Sequence, residues 1–231
     1  MKKLLTLGSA LVLTASASAT LIDSFYNTPE TAIPDANPSG ITFTHTTTTG
    51  DMNNINGVNV RLNFSGGFNG DLYGYLVFQA TDNSITTTTM LLNRVGRTGA
   101  ADPGFATSGM NVVLSSAGPA GSIHDVANPA STYGNAATYY LADARTTSPN
   151  GDFTGSTPAG SPLSVFDTYT HNANGTWTLF LADLSGGDVS TLVGWGLDIS
   201  VVPEPTTWAL LGFGALVAAT VVVRRVRRQA A

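Results

Sequence analysis

The sequence predicts an all-β body, a β-sandwich, flanked by a signal peptide and a single C-terminal transmembrane helix. Three observations lead there. Between residues 20 and 201, apolar and polar residues alternate with period two over several stretches, as in strands with one buried face. Charged residues make up only 11% of the chain, and Thr, Ser, Gly and Asn fill its polar positions. That composition favours β structure outside the cell over a helical cytosolic protein. Both ends carry uncharged apolar runs next to basic residues, the make-up of targeting segments.

The 231 residues suffice for one medium domain plus such segments. Cysteine is absent, which excludes a disulfide framework, a Cys metal site and a Cys nucleophile. A domain of this size buries enough apolar surface without disulfides.

At the N-terminus, Lys2 and Lys3 precede the apolar run 4–13, and Ala15-Ser16-Ala17-Ser18-Ala19 follow. This is the order of a signal peptide. Signal peptidase is expected to cut after Ala19, with Ala17 and Ala19 in its small pockets. The divisions expected are a signal peptide over 1–19, a body over 20–201 and a tail over 202–231.

Along the body, Val58, Val60, Leu62 and Phe64 alternate with polar residues, as do Trp177, Leu179 and Leu181, and then Trp195, Leu197, Ile199 and Val201. Further strands are expected at 41–46, 72–79, 86–93, 110–114 and 138–142. The Asn-Gly pairs beginning at Asn56, Asn69, Asn150 and Asn174 are turn signals. The Gly, Pro and Ser-rich stretches 100–109 and 146–162 read as loops. The inward faces should carry Val60, Leu62, Leu76, Phe78, Leu179, Leu181, Leu197 and Ile199, with Trp177 and Trp195 at least partly buried.

In the tail, Pro203, Glu204 and Pro205 precede the uncharged run 206–223, and Arg224, Arg225, Arg227 and Arg228 follow it. As a helix at about 1.5 Å per residue, the run spans roughly 27 Å, close to the hydrocarbon thickness of a bilayer. The arginines should hold the far end in the cytoplasm, which puts the body outside. A plain anchor accounts for the helix and arginines but requires no Pro-Glu-Pro before them. Triplet, helix and basic end in this order resemble the PEP-CTERM sorting signal. The resemblance implies a precursor held in the inner membrane and cut near Pro203-Glu204-Pro205 by an exosortase-type enzyme. The mature form would then stand at the cell surface or outside the cell.

A second resemblance lies in the body. Gly70-Asp71-Leu72 opens a strand, and Leu91-Leu92-Asn93-Arg94-Val95-Gly96-Arg97-Thr98-Gly99 follows. The body closes with Gly175-Thr176-Trp177-Thr178-Leu179-Phe180-Leu181-Ala182-Asp183, Gly187-Asp188 and Gly194-Trp195-Gly196-Leu197-Asp198-Ile199. This order resembles the P domain (P/Homo B) of proprotein convertases and bacterial subtilisin-like proteases. It implies a jelly-roll-like sandwich. Two departures stand out: Ser65-Gly66-Gly67-Phe68 where the family often has a histidine, and Gln79-Ala80-Thr81-Asp82-Asn83 where it usually has Ser-Pro-x-Gly-Thr. No protease-like segment precedes the match, so the body is expected to act alone.

Charge narrows the partners. Residues 20–201 hold four basic residues, Arg61, Arg94, Arg97 and Arg145, against 14 acidic ones, a net charge of 4 − 14 = −10. Such a body is a poor partner for nucleic acid and is compatible with Ca²⁺. Asp71, Asp183, Asp188 and Asp125 are candidate ligands of a structural Ca²⁺, which P domains of bacterial proteases can carry at strand ends of this kind. Turn carboxylates that bond backbone amides are the competing reading. The histidines His45, His124 and His171 are isolated in sequence. His124-Asp125 suggests a triad fragment, but no nucleophile is singled out, and a surface or turn histidine is the simpler reading. Asn63 and Asn174 begin glycosylation-like triplets that chance explains.

The function expected from the sequence is therefore a non-enzymatic exported protein of the cell surface or extracellular matrix. One alternative is a carbohydrate-binding module that grips extracellular polysaccharide, with Tyr73, Tyr75, Tyr139 and Tyr140 as stacking rings. The other is a hydrolase of matrix polysaccharide or protein.

Overall fold

The structure, a computed structural model, describes residues 19–48, 55–82, 85–146, 148–151, 162–166, 173–201, 212–216 and 219–220. Ala19–Val202 form one compact unit. Among its described residues nine strands run through it: β1 (Thr20–Asn27), β2 (Thr31–Ala32), β3 (Asn37–Thr47), β4 (Ile55–Gly66), β5 (Leu72–Ala80), β6 (Thr86–Asn93), β7 (Met110–Ser115), β8 (Gly175–Asp183) and β9 (Ser190–Val201). Of the second unit only residues 212–216 and 219–220 are described, as helix. Among the described residues no helix is long and apolar enough to cross a membrane. Ala17, the Pro203-Glu204-Pro205 motif, the four tail arginines and His171 lie outside the described residues.

The strands form two antiparallel sheets. The first has the order β1-β9-β4-β7, with β2 also on β9, and the second has the order β3-β8-β5-β6. Their inward residues share one apolar core. The first sheet contributes Val58, Val60, Leu62, Val112, Leu114, Trp195, Leu197 and Ile199. The second contributes Leu72, Leu76, Phe78, Trp177, Leu179 and Leu181, and all of these are at most 1% exposed. Every inward residue named from the sequence is buried, because period two is a local property of an extended chain.

The structure departs from the sequence reading at three places. Residues 138–142 form no strand: a single 3-10 turn, Ala136–Thr138, leads to isolated bridges from Leu114 to Tyr140 and from Ser122 to Leu141. The chain meets the edge of β7 for one rung, with Tyr140 N donating to Val113 O and Ser115 N to Tyr140 O, and then leaves it. Second, β1 has no period-two signature, because a register shift between Leu21 and Asp23 breaks its alternation. Its core contacts, Ile22 and Phe25, are three residues apart, as a bulge requires. Third, of the four Asn-Gly turn signals, Asn69-Gly70 lies in the 3-10 turn Asn69–Asp71 that feeds β5 and Asn150-Gly151 lies at a turn, whereas Asn56-Gly57 lies within β4 and Gly175 opens β8.

One ionic cluster is sealed at the start of β5. Arg94 donates through Nη2 to Asp71 Oδ1 at 3.0 Å and to Ser185 Oγ at 2.9 Å, and through Nε to Gly70 O at 3.0 Å. Beside it, in register with Leu72, lies Asp183, fully buried. Neither Asp183 carboxylate oxygen completes a hydrogen bond. Burial raises its carboxyl above the usual aspartate range; the nearby Ser185 amide tempers the shift and the Asp71 carboxylate adds to it.

Two measurements check this account. Trp177 is fully buried against Phe78 and Phe166. Trp177→Ala is expected to cost about 3–5 kcal/mol in denaturant titration, whereas Thr44→Ala, on the exposed face of β3, should stay within about 0.5 kcal/mol. For Asp183, the raised folded-state value means that the folded protein keeps a proton which the unfolded chain has already lost. Stability therefore falls as pH rises from the ordinary aspartate range through the raised one, and the loss persists above it. Asp183→Asn removes that loss. Melting curves from about pH 4 to about pH 7 should show the parent declining relative to the variant, and parallel curves would refute the assignment.

Candidate functional site

On β9, Trp195, Leu197 and Ile199 point inward, while Gly194, Gly196 and Asp198 face the other side of the first sheet. The register places Tyr26 of β1 and Arg61 of β4 on either side of Gly196, and Ser24 across from Asp198. A Cβ at Gly194 would stand 2.3 Å from the Tyr26 hydroxyl. One at Gly196 would stand 2.9 Å from a Tyr26 ring carbon and 3.1 Å from Arg61 Nε. The two glycines thus leave a trough along a central strand, and the Tyr26 ring fills it.

Arg61 joins this ring to a second one. Its guanidinium carbon lies 4.9 Å from the Tyr26 ring centre and 4.3 Å from that of Tyr133, within cation–π range of both. Arg61 Nη2 donates to Phe25 O at 2.7 Å and to Asp198 Oδ1 at 3.3 Å. The same Oδ1 accepts from Ser24 Oγ at 2.6 Å and from the Tyr133 hydroxyl at 3.2 Å. Arg61 Nε is buried with no hydrogen-bond partner.

Tyr133 reaches the cluster from a loop fixed by its own hydrogen bonds. Ser131 Oγ accepts from Val113 N and donates to Thr138 O, Thr132 N donates to Thr138 Oγ1, and Gly134 N donates to the Tyr139 hydroxyl. The loop is tied to β7 and to a buried tyrosine, so it holds the Tyr133 ring in place.

The residues singled out from sequence lie elsewhere. Asp71 and Asp183 come together, but Asp71 is neutralised by Arg94. Asp125 pairs with Arg145 at 3.2 Å, and Asp188 is exposed on the loop before β9. Among the described residues no group of three or more acidic or histidine side chains comes close enough to hold a metal ion. Ca²⁺ takes six to eight oxygens, and this donor set does not fit it. Tyr139 and Tyr140 are buried. Tyr75 stacks on Phe180, its cross-strand partner, at 4.5 Å and 13° between planes, so these two rings cover each other rather than a ligand. Tyr73 meets both edge-on and is half-buried.

His124, expected at the surface or in a turn, is in the 3-10 turn Ile123–Asp125 but is 3% exposed. Nε2 donates to the Arg97 carbonyl at 2.9 Å, and Nδ1 bonds the Asp143 carboxylate. Asp143, fully buried, also accepts from the amides of Asn93 and Arg145. Its partner is therefore Asp143, not the neighbouring Asp125. His45 bonds Asp23 at 2.7 Å and stacks on Phe25 at 4.0 Å.

Comparison with known proteins bears on the two parts unequally. A search of curated proteins finds no match. Among solved structures, the chain is similar to a serine protease of Aeromonas sobria, at 13% identity and a TM-score of 0.41. It is likewise similar to that serine protease in complex with its chaperone, at 14% identity and a TM-score of 0.41. Each match covers 81% of this chain and 28% of the other, so the chain spans under a third of their length. At the C-terminus, residues 201–228 match the PEP-CTERM protein-sorting motif, which marks an extracellular protein sorted by an exosortase-type enzyme.

Proposed function

We propose that the body is a non-enzymatic component of the cell surface or extracellular matrix, exported through its signal peptide and freed from its tail by an exosortase-type protease. The observation that carries this reading is the place of the sorting motif. It begins at residue 201, where β9 ends, and the compact unit spans Ala19–Val202. Thr20, the residue after the expected signal-peptidase cut, pairs with Val201. Both cuts would thus fall just outside the paired edges of one folded unit, a P-domain-like jelly roll.

A hydrolase needs an acid, base or nucleophile that reaches substrate. The His124–Asp143 pair is sealed in the interior with both ring nitrogens committed, which supports the non-enzymatic reading. Activity screens of the purified protein on matrix polysaccharides and proteins test it directly.

N-terminal sequencing of the exported protein is expected to begin at Thr20; a start at Met1 would overturn the signal-peptide assignment. The tail should divide into two functions. Retention needs the run 206–223 and the arginines behind it, since each arginine at the bilayer centre costs about 2.5–3.5 kcal/mol. Release needs Pro203, Glu204 and Pro205, because proline holds the chain extended where a protease grips it. Replacing these three with alanine should leave the protein exported, membrane-bound and unprocessed in cell fractionation. Release equal to the parent's would reduce the stretch to a spacer.

A further inference from the structure

We infer that Tyr26, Tyr133, Arg61 and Asp198 form a binding site for a neutral polysaccharide on the outer face of the first sheet. The inference rests on the reading of the body as an extracellular protein and names its partner.

The exposed aromatic side chains among the described residues of the body are Tyr26, at 45%, and Tyr133, at 53%. Both converge on one guanidinium. A clamp that only tied down the loop would need one ring, and the loop is already held by its own hydrogen bonds. Nor does strand stability call for Gly194 and Gly196. Glycine weakens a central strand; here Gly194 makes room for the Tyr26 ring, which stays nearly half-exposed, and Gly196 admits both that ring and the Phe25 carbonyl, 2.2 Å from where its Cβ would stand. The result is a pair of pre-positioned aromatic surfaces beside fixed polar groups, which lowers the ordering cost of binding.

Charge selects the ligand. Arg61 is balanced by Asp198, so the cluster carries no excess cation for an anionic ligand. The body around it has a net charge of −10, from four basic and 14 acidic residues in 20–201, and repels polyanions. A sugar ring fits both features. Its C–H face packs on tyrosine, and its hydroxyls bond fixed hydroxyl groups. The bonds from Ser24, Arg61 and Tyr133 all go to Asp198 Oδ1; the Asp198 side chain is only 7% exposed, so it positions the Ser24 and Tyr133 hydroxyls that meet the sugar rather than bonding it directly.

The test uses the full chain purified in detergent and affinity electrophoresis through gels containing β-glucan, mannan or xylan, with alginate as the anionic comparison. At least one neutral polysaccharide should retard the parent, and alginate should not. Tyr133→Ala should weaken retardation by about tenfold or more while its far-UV circular dichroism spectrum stays that of the parent. Tyr73→Ala, on the other sheet, should bind as the parent does. Tyr26→Ala provides a second variant in the trough and should weaken binding similarly. Failure of all three neutral polysaccharides to retard the parent, or undiminished binding by both Tyr133→Ala and Tyr26→Ala, would overturn the site. Localisation of the parent is followed in parallel. A protein that is exported and processed but does not bind refutes this inference alone, whereas one that stays in the cytoplasm refutes the extracellular reading.

Discussion

Both sheets are built around the last two strands of the body. β8 lies between β3 and β5, and β9 lies between β1 and β4. Each carries one of the two buried tryptophans, Trp177 and Trp195, into the shared core. Without these strands the earlier ones have few neighbours: β3 pairs with β8, and β1 and β2 pair with β9. The pairings are non-local, with Arg61 opposite Gly196 and Thr20 opposite Val201, so loop closure must precede most of the stabilising contacts. The sorting motif begins where β9 ends. In chain order, the retention signal follows the strand that completes the fold.

The second organising feature is the use of scarce positive charge. All four arginines of the body are committed. Arg94 holds Asp71, Arg145 reaches Asp143 and Asp125, Arg61 holds Asp198, and Arg97 donates to the carbonyls of Gly99, Ala100 and Pro149. Buried charges need such partners, and removing one partner costs far more than the pair contributes. Asp183 has no such cation, and its carboxyl is shifted toward the neutral form. The interior thus accommodates acid either by pairing it with arginine or by favouring its protonated state.

The two outer faces differ for a reason rooted in strand register. On the second sheet, Thr42, Phe180, Tyr75 and Met90 stand side by side across four strands, with Thr44, Thr178, Val77 and Thr88 in the next rank. Neighbouring strands are about 4.8 Å apart, so adjacent rings stack on each other and present only edges. On the first sheet, glycines at 194 and 196 remove the neighbouring side chains. Tyr26 settles into the gap, and Tyr133 approaches from a loop outside the sheet. Spacing rather than aromatic content makes one face available to a ligand.

Features that depend on neighbours along the chain were legible in the sequence alone. Period-two runs located β4, β8 and β9 and their buried faces, because alternation follows from extended geometry alone. The ordered apolar and basic segments of the tail carried their own meaning, because sorting signals are read as linear segments. Tertiary structure decided everything that depends on residues far apart in the chain. His124 looked solitary beside Asp125 but is paired with Asp143, and Asp71 looked like a metal ligand but is paired with Arg94. Tyr139 and Tyr140 looked available but are buried, while Tyr26, Arg61, Tyr133 and Asp198 gave no joint signal from positions spread over most of the body. Only the packing of β1, β4 and β9 side by side, with a hydrogen-bonded loop laid against them, brings those four together. The Gly194-Trp195-Gly196 run was visible in the sequence, but the aromatic ring that its glycines admit comes from β1, at the opposite end of the body.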